Sequence, residues 1–173
     1  MTDNRGAIVQ ILAEMPDSPN ARQALRAYFT EIVKRYQGRP TNNTEIDQVL
    51  LDESSDELRP PTGAFWVATI GGQIAGCAGL RYIEPAGTEA AHPTLGEVTR
   101  VYVSSAARRQ GLGSKLLDTV ERHARERGIS RLRLDVRGDL VEARALYARR
   151  GYREVPRFND SPYADHWFMK DLG

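Results

Sequence analysis

The stretch Val101-Tyr102-Val103-Ser104-Ser105-Ala106-Ala107-Arg108-Arg109-Gln110-Gly111-Leu112-Gly113-Ser114 has the residue types and spacing to hold a phosphate. A β-branched run gives way to a basic, glycine-bearing loop that leads straight into a helical pattern. The first turn of a helix has free N–H groups and the positive end of the dipole. Glycines at 111 and 113 remove side chains, so an anion can approach those groups closely. Arg108 and Arg109 add positive charge at the same place. Two other phosphate motifs do not fit. A nucleotide-hydrolysing P-loop needs glycine followed directly by lysine, whereas Ser114 stands between Gly113 and Lys115. A dinucleotide fingerprint needs a third glycine where Leu116 stands, and Ser104 to Gln110 separate its first glycine from the strand. Glycines that merely let the loop turn would leave the same trace, and the stretch alone does not separate the two.

The cradle needs a strand before it and a helix after it, and the surrounding pattern supplies both. Glu97 to Val103 is β-branched at Val98, Thr99, Val101 and Val103 and reads as a strand. From about Gly111 to Arg127, Leu112, Leu116, Leu117, Val120 and Ala124 recur on one helical face, which Gly128 ends. Arg131 to Val136 alternates as a strand, and Asp139 with Glu142 has the cap-and-N3 spacing of a further helix closed by Gly151. Upstream, Ser18 to Gln37 reads as a helix capped by Ser18, with Pro19 first and Gly38 and Pro40 behind it. A shorter helix begins at Thr44, followed by a solvated acidic connector over Asp52 to Glu57. Ala64–Ile70 and Gln73–Arg81 form a hairpin turned at Gly71-Gly72. Glu84 to Leu95 reads as a loop, and Tyr152–Val155 and Tyr163–Lys170 as final strands. The order predicts a mixed α/β sheet with helices on both faces.

At 173 residues, 40% hydrophobic and 27% charged, the chain fits one soluble domain. A net charge of +1 gives no footprint for nucleic acid or a membrane surface. Cys77 is the only cysteine, which excludes an intramolecular disulfide and a cysteine-based zinc site, and its apolar surroundings make it a small buried hydrophobe. Ala7 to Leu12 is too short and too broken for a secretory signal, and no stretch is apolar enough to span a bilayer. A cytoplasmic location is the expected default. His92, His123 and His166 are scattered, make no metal pattern, and are expected at the surface or in packing.

Arg108-Arg109-Gln110-Gly111-Leu112-Gly113 matches the Arg/Gln-x-x-Gly-x-Gly/Ala signature of the GNAT acetyltransferases, and Glu97 to Val103 looks like that family's central strand. Downstream, Leu146-Tyr147-Ala148-Arg149-Arg150-Gly151-Tyr152 resembles the family's Leu-Tyr-x-x-x-Gly-Phe/Tyr ending. One helix and one strand separate the two motifs, as the family requires, and the resemblance covers residues 64 to 170. It implies a mostly antiparallel central sheet and acetyl-CoA as cosubstrate. Backbone N–H groups of Gln110, Gly111, Leu112, Gly113 and Ser114 would hold the pyrophosphate, with Arg108 and Arg109 beside them. The main chain of Val101, Tyr102 and Val103 would bond the pantetheine arm, and the strand Arg131–Val136 should diverge from the central one. Many members have asparagine where this chain has Leu140.

The resemblance also implies roles in amine acetylation. Glu97 corresponds to a glutamate that many relatives use to take the amine's proton, and a strand-end ion pair with Arg100 or another arginine is the plainer alternative. Tyr147 matches the tyrosine beside the coenzyme sulfur and would protonate the departing thiolate; packing on the sheet is its plainer fate. A backbone N–H at Val103 or a neighbour would polarise the carbonyl. The acceptor would be a small-molecule or peptide amine, with the first helices through Tyr28, Arg35 and Tyr36, the Glu84 to Leu95 loop and the Phe158–Trp167 region, His166 included, on its side. A homodimer is common in the family. Set against the enzyme is a module that senses acyl-CoA or bridges partners without turnover; Glu97 and Tyr147 favour the enzyme.

Overall fold

The structure, a computed structural model, describes residue 2 and residues 6–83 and 94–173. Its strands are β1 (Val9–Ala13), β2 (Gly63–Ile70), β3 (Gln73–Ile83), β4 (Leu95–Val103), β5 (Arg131–Val136), β6 (Arg153–Val155) and β7 (His166–Asp171). Its helices are α1 (Pro19–Gln37), α2 (Asn43–Asp52), α3 (Leu112–Glu126) and α4 (Val141–Arg149). The strands form one sheet in the order β1-β2-β3-β4-β5-β7-β6, antiparallel except where β4 runs parallel to β5. Each parallel relation needs a crossover, and α3 carries the one from β4 to β5.

Alternation along β2 shows how the two faces are filled. Trp66 and Ala68 join the core under α3 and α4, with Leu116, Leu117, Val120, Leu132 and Leu134. Phe65 and Val67 point the other way and pack with Cys77, Leu58 and the α1 residues Ala21, Ala24 and Leu25. Helices therefore cover both faces, as the element order implies. Ser18 caps α1 through its side chain, and Gly38 closes it in the left-handed conformation. The β2–β3 hairpin turns on Gly71 and Gly72 with φ of 56° and 78°, the primed turn that a two-residue loop prefers.

Two differences from the sequence pattern have local causes. Strand β1 pairs along β2 from Val9↔Ile70 to Ala13↔Trp66, although only Val9 of its five residues is buried. An edge strand needs few buried side chains, so the segment shows no two-residue period. The α4 start departs from the capping-box spacing: Leu140 occupies the N-cap without a side-chain bond. Asp139 instead accepts from Arg137 Nε at 2.9 Å, and Glu142 from Arg35. A real capping box occurs at α2, where Asn42 and Glu45 bond each other's backbone N–H groups. The expected Glu84–Leu95 loop lies outside the described residues up to residue 93, and Leu95 already belongs to β4.

Candidate active site

The site begins with a fault in β4. Cys77 pairs with Tyr102 and Gly79 with Thr99, so β4 carries one residue more than β3 between those pairs. The extra residue bends the strand at Arg100, whose φ is 55° although it is not glycine. The bulge also reverses the alternation. Val98 before it, and Val101 and Val103 after it, all pack on the α3 side, while Tyr102 joins Cys77 on the α1 side. Strain at Arg100 is held in place from several directions. Its guanidinium lies 4.8 Å from the Phe29 ring centroid and donates to Ser55 Oγ and the Glu53 carbonyl at the end of α2. Its carbonyl accepts from Cys77 Sγ at 3.2 Å, and burial pushes that thiol's pKa well above its ordinary value.

Just before the bulge, β4 and β5 part. Their ladder runs Leu95↔Arg131, Gly96↔Leu132, Glu97↔Arg133 and stops, so Val98 to Val103 have no partner on β5. The divergence implied by the family resemblance is thus present. A cavity of about 420 Å³ opens there, walled by α1, α2, β4, β5 and α4. Tyr28 and Tyr36 line it from α1, Val101 from β4, and Tyr147 from α4, with Tyr163 from the segment before β7.

At the far end of β4 stands the phosphate cradle. Arg109 and Gly111 take left-handed φ values of 61° and 77°. The first backbone bond of α3 runs from Lys115 N to Gly111 O, and the N-cap supplies no side chain. The N–H groups of Leu112, Gly113 and Ser114 therefore lie ahead of the helical ladder, aligned with its positive end. The two glycines have different tasks. A Cβ at Gly111 would meet nothing within 4 Å, which leaves open space for an anion, whereas one at Gly113 would stand 2.8 Å from Leu146 Cδ2. Gly113 thus lets α4 close against α3. Gln110 donates its side-chain amide to Ala106 O at 2.9 Å and braces the loop. Arg109 is exposed beside the cradle. Arg108 is turned away from it: its Nε donates to Val103 O and its Nη2 to Glu31 on α1, both at 3.2 Å. The open backbone donors fit a pyrophosphate; the charge of Arg108 is engaged elsewhere.

Tyr147 is buried, packed edge-on against Tyr152 at 5.7 Å. Burial pushes its phenol well above the ordinary tyrosine range, so it stays protonated at neutral pH. Glu97 lines the cavity, but both its oxygens are taken. Arg81 donates to Oε1 and Arg133 to Oε2, each at 2.8 Å, and the side chain is 15% exposed. The pairing partners are therefore Arg81 and Arg133, not Arg100.

Among the other expected acceptor residues, Arg35 bonds Glu31 and Glu142 and does not line the cavity. His166 faces Glu154 at 2.6 Å and is likewise off the cavity wall. His92 lies outside the described residues. His123 is a packing residue, edge-on to Trp66 and 2.7 Å from the Tyr82 hydroxyl through Nε2. Two groups carry no signal in local spacing. Arg100 is fixed by contacts from α1 and α2, and Asp135 accepts from Asn159, 24 residues further on, which in turn accepts from Trp167 across 8 residues.

A parallel strand pair that parts beside a bulge, with a helix N-terminus open at its end, defines an acyltransferase-type α/β fold. The chain belongs to the acetyltransferase (GNAT) family, whose model matches residues 21–152. Over 105 residues it is 31% identical to the Uncharacterized N-acetyltransferase YjgM of Escherichia coli (strain K12). That match takes in 61% of this chain and 60% of YjgM, so it spans about three-fifths of the relative's length. A GNAT-family acetyltransferase from Staphylococcus aureus MU50 superposes with a TM-score of 0.75 at 20% identity, covering 96% of this chain and 100% of the other. The PaiA N-acetyltransferase of Thermoplasma acidophilum, solved in complex with coenzyme A, superposes with a TM-score of 0.69 at 18% identity, covering 95% and 99%. Among the described residues no helix is long and apolar enough to cross a membrane.

Proposed function

We propose that the chain is a single acetyltransferase domain that moves acetyl from acetyl-CoA directly onto an amine of a small molecule or peptide. The observation that carries this reading is the alignment of three features along β4. Free N–H groups stand at its far end, the parting from β5 lies along its middle, and a buried tyrosine faces the cavity between. The N–H groups of Leu112, Gly113 and Ser114 would hold the pyrophosphate, with Gln110 bracing the loop and Arg109 adding charge. The unpaired edge of Val101, Tyr102 and Val103 would bond the pantetheine arm. Coenzyme A bound to the fold neighbour from Thermoplasma acidophilum supports the same cosubstrate.

The thioester supplies the activated acetyl group. The chain's part is to align it with the amine, to polarise its carbonyl and to manage two protons. The bulge at Arg100 re-aims the β4 backbone beside the parting, where an N–H can meet developing negative charge. Tyr147 is suited to protonate the sulfur, since it stays neutral and faces the cavity. Glu97 would hold Arg81 and Arg133 at the root of the cleft.

Thiol release that requires the protein, acetyl-CoA and a primary amine together tests this reading. Acetyl-CoA binding without amine-dependent release would leave an acyl-CoA sensor as the function.

A further inference from the structure

Resting on that reading, we infer that Asp135, held by Asn159, is the carboxylate that takes the proton from the acceptor amine, in the place that family resemblance gives to Glu97. On β5, Leu132, Leu134 and Val136 are buried toward α3, so Arg133 and Asp135 face the α1 side. The β4–β5 ladder ends at Arg133, and Asp135 lies two residues on, ~7 Å along the strand. It is thus the first side chain of β5 on that face beyond the point where the strands part, and it lines the cavity together with Tyr147.

Its two oxygens are in different situations. Oδ2 accepts from Asn159 Nδ2 at 2.7 Å. The Asn159 amide cannot be reversed, because its Oδ1 accepts from Trp167 Nε1 at 2.8 Å and from the Ser161 N–H, and both of these groups only donate. Trp167 pairs with Asp135 across β5 and β7, so the clamp is anchored to the sheet. Among the described residues Oδ1 accepts no hydrogen bond and Asp135 forms no ion pair. Glu97 is the contrasting carboxylate, with a guanidinium on each oxygen. A base must have a lone pair within reach of the substrate's proton, and Asp135 has one.

The groups facing Asp135 are Glu97 of β4, Arg133 of β5, Arg81 of β3, Tyr147 of α4 and Tyr28 of α1. Burial raises the Asp135 pKa above its ordinary value and Glu97 adds to the rise, while the Asn159 bond and the two arginines oppose it. An acceptor-side carboxylate so placed is a stronger base than a free aspartate.

An ammonium proton passes to Asp135 Oδ1 and on to solvent, and the freed nitrogen lone pair forms the C–N bond at the thioester carbonyl. The C–S bond breaks, Tyr147 protonates the leaving sulfur, and the proton lost from nitrogen as the amide forms restores Tyr147. The products are the acetamide and the free thiol.

The test uses the full chain with tyramine, spermidine and trialanine as probe amines, read by thiol release across pH, beside calorimetry with acetyl-CoA. The inference requires that at least one probe be acetylated. It predicts that Asp135→Asn loses about 10² to 10⁴-fold in kcat. The KM for acetyl-CoA should stay within threefold. Asn159→Ala removes a bond to the charged form, so the acidic limb of kcat should move to higher pH. An Asp135→Asn variant within threefold of the unaltered chain, or an acidic limb unmoved by Asn159→Ala, overturns the inference. So does acetyl-CoA binding with none of the three probes acetylated. Absence of acetyl-CoA binding by the unaltered chain strikes instead at the reading on which the inference rests.

Discussion

Tyr147 shows what one residue owes to its surroundings. Its ring packs in the core with Tyr152 and Phe168, and the residue also lines the cavity. Packing and chemistry are therefore not alternatives for it. Removing only the hydroxyl keeps the ring contacts, so Tyr147→Phe is expected to lower kcat by roughly 10²-fold. Acetyl-CoA affinity by calorimetry and the melting temperature should hardly move; a kcat within threefold would deny the acid role. Its raised pKa also removes it as the source of any alkaline limb near neutrality. Residue types and spacing made Tyr147 and the glycines legible in the sequence. The pairing of Glu97 was not, because Arg81 and Arg133 reach it across two strand interfaces. The separate tasks of Gly111 and Gly113 were equally hidden, since one answers to φ and the other to a helix 33 residues further on. Consequently Gly113→Trp, the obvious way to block the cradle from sequence, would wedge α4 away from α3.

At the scale of elements, the start of α3 is the better place to test the cradle. Ser114 is the third helical residue, where a carboxylate favours the helix dipole and also repels a pyrophosphate. Ser114→Asp should therefore weaken acetyl-CoA binding about tenfold or more, the worth of one charge-assisted hydrogen bond, while the melting temperature holds or rises. Loss of binding together with stability would point to a damaged helix, and unchanged binding would place the phosphates elsewhere. The other end of α3 predicts a pH effect. Burial, then the nearby Arg127, lowers the His123 pKa below its ordinary 6.5, with Glu126 opposing. The folded state thus binds fewer protons than the unfolded chain. Stability should be whole above about 6.5 and decline as pH falls from there toward the folded pKa. Melting curves at pH 7.5 and 5.5 should show a smaller drop for His123→Gln than for the unaltered chain, whatever the variant's absolute stability. Helices α1 and α3 were legible because their apolar stripes are long and their glycine stops are clear. Strand β1 was not, since an edge strand gains its place from the backbone of β2.

Across the whole molecule, one strand organises both ends of the site. The bulge in β4 turns its later residues over, and the early end of the β5 ladder opens the sheet where a thioester would lie. Period-two alternation along Glu97 to Val103 gives no notice of this, because Val98, Val101 and Val103 share a face only once the bulge is in place. Helix α1 closes the opposite side and is tied to both lobes of the cleft. Glu31 holds Arg108 before α3, and Arg35 holds Glu142 at the start of α4. Such long-range ties need the assembled sheet and leave no trace in spacing. Calorimetric titration with acetyl-CoA, with NAD as control, tests the central claim most directly. Saturable one-to-one binding of acetyl-CoA, with no heat from NAD, is the predicted result. No binding of acetyl-CoA, or equal binding of NAD, would contradict it.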